Sequence, residues 1–265
     1  MHTMETQHTF AICAYKKSVY LEDCIKSLLK QSVKSHILLA TSTPNDFIQA
    51  MADKYSLPLH IHQGPGGIAQ DWNFAYEQAT TRYVTLAHQD DIYEPDYAAR
   101  SLRAMAKAKK PLIWFSNYYE IRGGQKVTRN KLLLIKRLLI SPLRLKSLSG
   151  FSAVRRRCLS LGNSICCPTV TFAACNLPKA IFTPHFRSNV DWQAWENLSK
   201  LRGSFLYDSK MLLGHRIHEE SETSKVIGDS GRTAEDLEMF QKFWPAPIAW
   251  RLSGVYASSE KSNKG

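Results

Sequence analysis

The sequence predicts an α/β fold, in which a mainly parallel sheet carries helices on both of its faces. In the first 120 residues, short apolar runs typical of strands alternate with segments that repeat apolar residues every three or four positions. The connections between these segments are short, and repeated strand–helix units of this kind build parallel sheets. Ligands of such sheets bind where the strands end, so we expect the chemistry in the loops that follow the strands.

The strands of this half are predicted from apolar runs bounded by turn residues. They lie at 10–15, 36–40, 59–62, 83–87 and 112–119. The second run ends at the turn-forming sequence Ser-Thr-Pro-Asn-Asp, and the third is closed by Gly-Pro-Gly-Gly. The loops after Tyr15, Ser42 and Ala87 therefore mark the expected binding edge.

Helices are predicted between these strands, at 18–31, from 46 onward, at 68–79 and at 95–109. In the first, Leu21, Ile25 and Leu28 share one face, as in an amphipathic helix. Pro95 suits the first position of the fourth, where a missing N–H costs nothing. The second half is less regular: strands are expected at 165–172 and 204–213, helices at 192–200 and 233–243, and then a poorly ordered tail.

Composition limits the class of protein. A hydrophobic share of 44% and a charged share of 22% are those of a globular chain with a core. Apolar runs stay far below the roughly 18 to 20 residues that span a bilayer. The six cysteines show no framework spacing, so reduced thiols and a cytoplasmic location are expected.

Positive charge is concentrated in one region of the chain. The net charge is +12, and between Glu120 and Asp191 there are thirteen Lys and Arg residues but no acidic residue. The rest of the chain has 22 basic and 23 acidic residues, so it is nearly neutral. A block of this kind indicates an anionic partner such as a phosphate, an acidic glycan, an anionic lipid or a nucleic acid.

Two adjacent carboxylates, Asp90 and Asp91, follow directly after the fourth expected strand. Neighbouring carboxylates repel each other unless a cation or hydrogen-bond donors neutralise them. Oxygen ligands at this point suit Mg²⁺ or Mn²⁺ shared with a diphosphate. An acidic helix N-terminus is the structural alternative, because acidic residues are favourable there.

Two other function classes match parts of the sequence. The segment Gly64-Pro-Gly66-Gly-Ile-Ala69 fits the glycine pattern of a nicotinamide dinucleotide-binding oxidoreductase. It follows the third strand, however, and Pro65 stiffens the turn. The basic block is typical of a nucleic-acid-binding module, but it is rich in leucine without interleaved aromatic residues, so we expect no nucleic acid.

Six segments, in the same order, resemble motifs of the inverting GT-A glycosyltransferases of family 2. They are Phe10-Ala-Ile-Cys-Ala-Tyr15, Gly66-Gly-Ile-Ala-Gln-Asp-Trp-Asn73, His88-Gln-Asp90-Asp91, Cys166-Cys-Pro168-Thr169, Val190-Asp191-Trp192 and Gly214-His-Arg216-Ile-His218. The resemblance covers most of residues 9 to 228. It implies a GT-A fold with a nucleotide-sugar-binding half at 1–120, an acceptor-binding half at 121–228 that also holds the catalytic base, and a C-terminal helix and tail at 229–265.

The resemblance also implies site residues. Contacts with the nucleotide sugar are expected from Ala14, Tyr15, Ser42, Gln70, Asn73, His88, Gln89 and Asp90. Mn²⁺ or Mg²⁺ is expected on Asp90, with Asp91 and His218 as further ligands, although a histidine of this kind is as often a hydrogen-bonded structural residue. Acceptor contacts are expected from Thr169, Trp192 and Trp195. The rings of the two tryptophans would stack on sugar faces.

Asp191 is the expected general base. Inverting transfer needs one carboxylate to take a proton from the acceptor hydroxyl, and Asp191 ends the acid-free stretch beside two tryptophans. The alternative is a helix N-cap, since Asp is common before an apolar helix. The chain departs from the family in other places: Thr41-Ser-Thr-Pro44 replaces the acidic turn that reads the base, His88 replaces an aspartate, and Val190 replaces a glutamate.

The basic segment from Arg129 to Leu148 is expected to dock on an anionic membrane or a lipid-linked acceptor. It combines leucines and isoleucines with cationic residues, the pattern of an interfacial segment. A helix that packs its leucines on the sheet is the alternative. The predicted protein is thus a metal-dependent enzyme of surface polysaccharide or glycoconjugate assembly, peripheral on the inner face of the membrane.

Overall fold

The computed structural model describes residues 7–218 and 230–261. Its strands are β1 (His8–Ala14), β2 (His36–Thr41), β3 (Leu59–Ile61), β4 (Tyr83–His88), β5 (Ile92–Tyr93), β6 (Pro111–Arg122), β7 (Gln125–Val127), β8 (Val170–Ala173) and β9 (Ser204–Ile217). Its helices are α1 (Leu21–Leu29), α2 (Asp46–Tyr55), α3 (Ile68–Glu77), α4 (Tyr97–Lys107), α5 (Lys131–Ile140), α6 (Ser152–Leu159), α7 (Val190–Ser199), α8 (Ser230–Gln241) and α9 (Ala246–Lys261).

These strands form one sheet in the order β3-β2-β1-β4-β8-β6-β9-β5, with β7 added beside β6. The pairs β2–β3, β1–β2, β1–β4 and β6–β9 are parallel, whereas β8 runs antiparallel between β4 and β6, and β5 pairs antiparallel with β9. The prediction of a mixed α/β fold with a mainly parallel sheet is confirmed. Because β1, β2 and β4 are parallel neighbours, their carboxyl ends share one edge.

Helices cover both faces of the sheet and enclose a core on each. Phe10 and Ile12 of β1 pack into the core that is formed with α1, α2 and α4. Ala11, which points to the other face, belongs to the core formed with α3, α7, α8 and α9. Burial on both faces explains why β1 is apolar from Phe10 to Ala14, without alternation between apolar and polar residues.

The expected disordered tail is wrong for the described residues, since 246–261 form α9. Pro247 lies in the first turn of this helix, where a residue without an N–H is tolerated. The backbone N–H groups of Ile248 and Ala249 donate to the Pro245 oxygen. Ala249 is buried and the Tyr256 ring lies 5.8 Å from Trp192, so α9 completes a core. The described helices are each too short or too polar to traverse a bilayer.

Several arginines of the basic block are directed inward. Arg122 pairs with Glu120, and Arg156 pairs with the buried Glu196. Arg155 is 1% exposed, and its guanidinium donates to the carbonyl oxygens of residues 199 and 201 at 2.9 and 2.7 Å. Part of the excess positive charge therefore stabilises the connection between α7 and β9 instead of facing a partner.

Replacement of Arg155 by Met should lower the free energy of unfolding by about 2–4 kcal/mol, because buried carbonyl oxygens lose a charged donor. Urea denaturation measures the loss. Arg202→Met is the matched control, since Arg202 is exposed, and its effect should stay within about 0.5 kcal/mol. Equal effects of the two variants would show that the Arg155 contacts contribute nothing.

Candidate active site

The carboxyl ends of β1, β2 and β4 lie side by side. Ala14 is paired with Thr41 in the sheet register, and the residue before Ala14 is paired with His88. Gln89 joins the loops that follow β1 and β4: its Oε1 accepts from the Tyr15 backbone N–H at 3.0 Å, and its Nε2 donates to the Tyr15 oxygen at 2.9 Å. Ala14, Tyr15, His88 and Gln89, four of the residues expected to contact the donor, thus stand at this edge. Their contact with the donor stays a prediction.

The end of β9 brings two basic side chains to Asp90. His218 Nε2 lies 2.8 Å from Asp90 Oδ2, and Arg216 donates through Nε to the Asp90 backbone oxygen at 2.9 Å. The Arg216 guanidinium lies 4.2 Å from the centre of the Tyr20 ring. Burial raises the pKa of Asp90, but the His218 hydrogen bond and the neighbouring histidine charges outweigh it, so this pKa lies below its usual value.

Asp91 is fully buried and differs in role from its neighbour. Its Oδ1 lies 3.0 Å from His215 Nδ1 and accepts from the Arg216 backbone N–H at 2.9 Å. Burial opposes a charged His215, but the charge and hydrogen bond of Asp91 outweigh it and raise the pKa of His215. Because these donors occupy the carboxylate and solvent does not reach it, the prediction of Asp91 as a metal ligand is corrected. Asp91 anchors the end of β9.

His88 is the next polar group at the edge. Its ring stacks on Trp72, with 5.1 Å between the ring centres. Burial lowers the pKa of His88, against the opposing charges of Asp91 and Asp90. Its Nε2 is buried without a hydrogen-bond partner among the described residues. Contact of His88 with the donor stays a prediction.

Asp191 lies in the first turn of α7, and the helix cap is Asn189. The N-cap alternative is therefore excluded. Asp191 Oδ2 accepts from Asn163 Nδ2 at 2.7 Å, and Oδ1 accepts from the Trp192 backbone N–H at 2.8 Å. Burial raises the pKa of Asp191, although the Asn163 and Trp192 hydrogen bonds and the positive charge of Lys136 oppose the shift. A carboxylate with a raised pKa is a stronger base than one in water.

The prediction that three buried side chains contact the acceptor is wrong. Trp192, Trp195 and Thr169 are each 0% exposed. The indole N–H groups donate to backbone oxygens of residues 159 and 165, and the threonine hydroxyl donates to residue 166. Because their surfaces are covered by the core, these side chains hold α7 and the start of β8 in place and do not face an acceptor.

Two residues of α3 that were expected at the donor site have partners within the protein. The Asn73 side chain donates to the Phe182 oxygen at 2.7 Å and accepts from the Ile181 and Phe182 N–H groups at 2.9 and 3.0 Å. It therefore ties α3 to that segment. Gln70 folds over Gly67, whose φ of +155° and lack of a Cβ allow the contact. Donor contact by either residue stays a prediction.

A divalent metal fits this site with a small set of protein ligands. Among residues 7–218 and 230–261, no three His, Cys, Asp or Glu side chains come together as a metal site. Asp90 and His218, however, bring a carboxylate oxygen and an imidazole nitrogen within 2.8 Å of each other. Carboxylate and imidazole are ligands that Mn²⁺ accepts, and diphosphate oxygens are its usual further ligands.

Sequence reasoning missed several residues of this edge. Tyr20 lies under the Arg216 guanidinium, Asn163 holds Asp191, and Asp71 binds Ser42 and His62 by hydrogen bonds. Tyr20 and Asn163 lie in no local pattern that indicates a site. Asp71 lies within the Gly66–Asn73 segment, but the pattern does not show its partners, because each residue meets its partner through the fold.

The family is shown by the sequence between residues 9 and 172, which matches the model of Glycosyl transferase family 2. The match covers more than half of the 265 residues. The chain belongs to glycosyl transferase family 2. It is therefore a glycosyltransferase, and the oxidoreductase and nucleic-acid-binding alternatives have no support. No curated protein matches the sequence.

Solved structures share the fold of this glycosyltransferase. S. aureus TarS 1–349 in complex with UDP-GlcNAc aligns with a TM-score of 0.57 at 14% identity, covering 93% of this chain and 70% of that chain. The mannosyltransferase PcManGT from Pyrobaculum calidifontis, in complex with GDP-Man and Mn²⁺, gives 0.58 at 11% identity, covering 98% and 76%. The chain spans 42% of the longer TarS structure. These likenesses show the GT-A fold, as expected from the sequence.

The replacement Asn163→Ala should shift the acidic limb of the pH profile of kcat/KM to higher pH. A base works as the carboxylate, so activity falls as pH drops through its pKa. Loss of the Asn163 donor raises the Asp191 pKa further. A hydrogen bond to a charged group is worth about 1.5–3 kcal/mol, which corresponds to about one to two pH units.

Asn197→Ala is the matched control, because Asn197 lies on the same helix and its side-chain oxygen accepts from Gln193 and does not contact Asp191. Its pH profile should match that of the unmodified enzyme. An unchanged acidic limb in Asn163→Ala would mean that Asp191 does not set the profile.

Proposed function

We propose that this glycosyltransferase transfers a sugar from a nucleoside diphosphate sugar to a glycan or lipid-linked acceptor, with inversion at the anomeric carbon. The observation that carries the proposal is the environment of Asp191. It is a largely buried carboxylate with a raised pKa, and His88 lies within the electrostatic reach of both Asp191 and Asp90. Asp191 and Asp90 therefore lie near the same histidine, so one site offers a base for the acceptor proton and a charged carboxylate for the cation that neutralises the diphosphate.

In the proposed step, Asp191 accepts the proton of an acceptor hydroxyl while the oxygen attacks the anomeric carbon. The bond from that carbon to the diphosphate breaks on the opposite face, so the configuration is inverted. Asn163 and the Trp192 N–H orient the carboxylate. Such positioned proton transfer typically contributes a factor of about 10² to 10⁴ in rate.

On the donor side, the diphosphate would meet the positive charge of Arg216, which the Asp90 carbonyl and the Tyr20 ring hold in place. Mn²⁺ or Mg²⁺, held by Asp90 and His218, would neutralise the leaving diphosphate. Tyr15, 38% exposed beside the end of β1, offers a ring to the nucleoside.

A membrane surface is proposed for the outer face of α5. Leu134, Ile135 and Leu138 are 55, 43 and 72% exposed, so these residues do not pack on the sheet. Leu145 and Phe151 are also exposed, at 61 and 59%. Leu133, Ile140 and Leu143 are buried, so the alternative in which the leucines are core holds for the inner face of this segment and not for its outer face.

The same surface carries exposed cationic residues, which are Lys131, Arg144 and Lys146. An apolar face with cationic flanks suits interfacial binding, and each cation near an anionic surface contributes about 1 kcal/mol. We therefore place the enzyme on the inner face of the membrane, in the assembly of surface polysaccharide or glycoconjugates from a lipid-linked acceptor.

Two isosteric variants test the proposed chemistry, because one should lose donor binding and the other should lose catalytic rate. Asp90→Asn should weaken Mn²⁺-dependent binding of the sugar nucleotide at least about tenfold, since the metal loses a charged ligand. Asp191→Asn should retain donor binding and lose about 10²- to 10⁴-fold in kcat. Calorimetry measures the first effect and product formation the second.

Unchanged Mn²⁺-dependent binding in folded Asp90→Asn would contradict the metal assignment. Transfer by Asp191→Asn at a near-normal rate would contradict the base assignment. Retention of the anomeric configuration in the product, determined by NMR, would contradict inversion.

The surface on α5 should bind anionic vesicles. At low salt we expect about a hundredfold stronger binding to phosphatidylglycerol vesicles than to phosphatidylcholine vesicles, because three cations contribute about 3 kcal/mol. The preference should fall in high salt. Cosedimentation measures both effects.

The double variant Leu134→Ser, Leu138→Ser should bind vesicles much more weakly, since it removes apolar surface from the interface. Its control is Val19→Ser, Leu29→Ser, which changes side chains of similar exposure, 73 and 52%, elsewhere on the protein. Equal binding by the two double variants, or equal binding to both vesicle types, would place the acceptor in solution.

A further inference from the structure

A cluster of three polar side chains lies where β2 and β3 end. Ser42 Oγ donates to Asp71 Oδ2 at 2.8 Å, and His62 Nδ1 lies 3.0 Å from Asp71 Oδ1. The side chains of Asp71 and His62 are 20 and 17% exposed. A donor on each carboxylate oxygen compensates for part of the water that this partly buried group has lost.

Asp71 comes to this place from another element. The turn after β2, Thr41-Ser-Thr-Pro44, holds no acidic residue. Asp71 lies in the first turn of α3 and reaches across to that turn. Ser42 follows Thr41, which is paired with Ala14 at the end of β1, and the His62 backbone N–H donates to the Thr41 oxygen at 2.8 Å, so the cluster also adjoins the end of β1. The carboxylate therefore stands at the edge shared by the first three parallel strands.

The carboxylate is held in one orientation. His62 stacks on Phe74, with 4.8 Å between the ring centres. Gly64 leaves room for the imidazole, because a Cβ at that position would lie 2.7 Å from His62 Nε2. Groups that are fixed by packing and by second hydrogen bonds can discriminate between ligands, whereas mobile groups adapt to each.

The arrangement is not that of a nucleophilic serine. Ser42 and His62 each contact Asp71, so the carboxylate lies between them. Activation of a serine needs the imidazole between hydroxyl and acid, with its ring nitrogen accepting the hydroxyl proton. Here the hydroxyl donates to the carboxylate. The cluster therefore presents an acceptor and performs no proton abstraction.

Asp71 retains acceptor capacity. A carboxylate has about four lone-pair sites, and each Asp71 oxygen is engaged by one donor. One site per oxygen is left for a ligand that carries an N–H group. A ligand with a lone pair at the same position would be repelled by the negative charge.

We propose that Asp71 is the specificity-determining residue for the base of the donor nucleotide, and that it selects bases whose ring nitrogen carries a hydrogen. Uracil, thymine and guanine have this N–H. Cytosine and adenine have a lone pair there and are disfavoured. The inference rests on the proposed function, since it assumes that a nucleotide sugar binds at this edge. It names the donor as a uridine, thymidine or guanosine diphosphate sugar.

The test compares the dissociation constants of UDP, GDP, CDP and ADP, measured by calorimetry in the presence of Mn²⁺. The unmodified enzyme should bind UDP or GDP at least about tenfold more tightly than CDP and ADP. Asp71→Asn should reduce this preference at least about tenfold, because the carboxamide can offer an N–H to cytosine or adenine. A purely structural role of Asp71 would not change the ratio between bases.

Asp53→Asn is the matched control, since it makes the same change at an exposed position of α2 and should keep the ratio. Equal affinity of the unmodified enzyme for all four nucleotides overturns the inference, even if Asp71→Asn fails to fold. An equal loss of affinity for all four nucleotides in Asp71→Asn would also overturn it. Failure of every nucleotide to bind would contradict the proposed function itself. Asp90→Asn should weaken the binding of all four nucleotides by the same factor, because Asp90 acts at the diphosphate end and not at the base.

Discussion

The buried carboxylate of Asp91 is the interaction on which the donor side depends. Complete burial of a charge is tolerated only with close donors, and Asp91 has them in His215 and the Arg216 backbone N–H. These bonds attach the end of β9 to the loop after β4. Arg216 and His218 are thereby carried to Asp90. A buried residue thus positions the side chains that we propose to bind the metal and the diphosphate.

Two aspartates at the same edge acquire opposite properties from their surroundings. The histidines near Asp90 lower its pKa, which keeps it charged for a cation. Burial near Asp191 raises its pKa, and Asn163 and Trp192 limit the rise. Environments that separate the pKa values of like groups allow one carboxylate to hold charge while the other moves a proton. The division of roles lies in the fold and not in the residue type.

The basic block serves two purposes that its composition does not separate. Arg155 and Arg156 neutralise buried acceptors, so their charge acts within the core. Lys131 and Arg144 face outward beside exposed leucines of α5. Since inward arginines bring no net attraction to a partner, the surface argument rests on the outward cations and the apolar area beside them. The positive charge that faces outward is therefore smaller and more localised than the total charge of the sequence indicates.

The sequence by itself determined most of the strand–helix order of the first 120 residues and the placement of Asp90 after β4, because these follow from periodicity and short-range pattern. The short strands β5 and β7 and the helix α6 were not predicted. Local pattern does not tell which side of a helix is covered. Trp192 and Trp195 were therefore assigned to the acceptor although they are core residues. Asp71 reaches Ser42, and Asn163 reaches Asp191, across 29 and 28 residues of chain. Only the tertiary structure decided these pairs, because burial and hydrogen bonding between distant segments depend on how the whole chain packs.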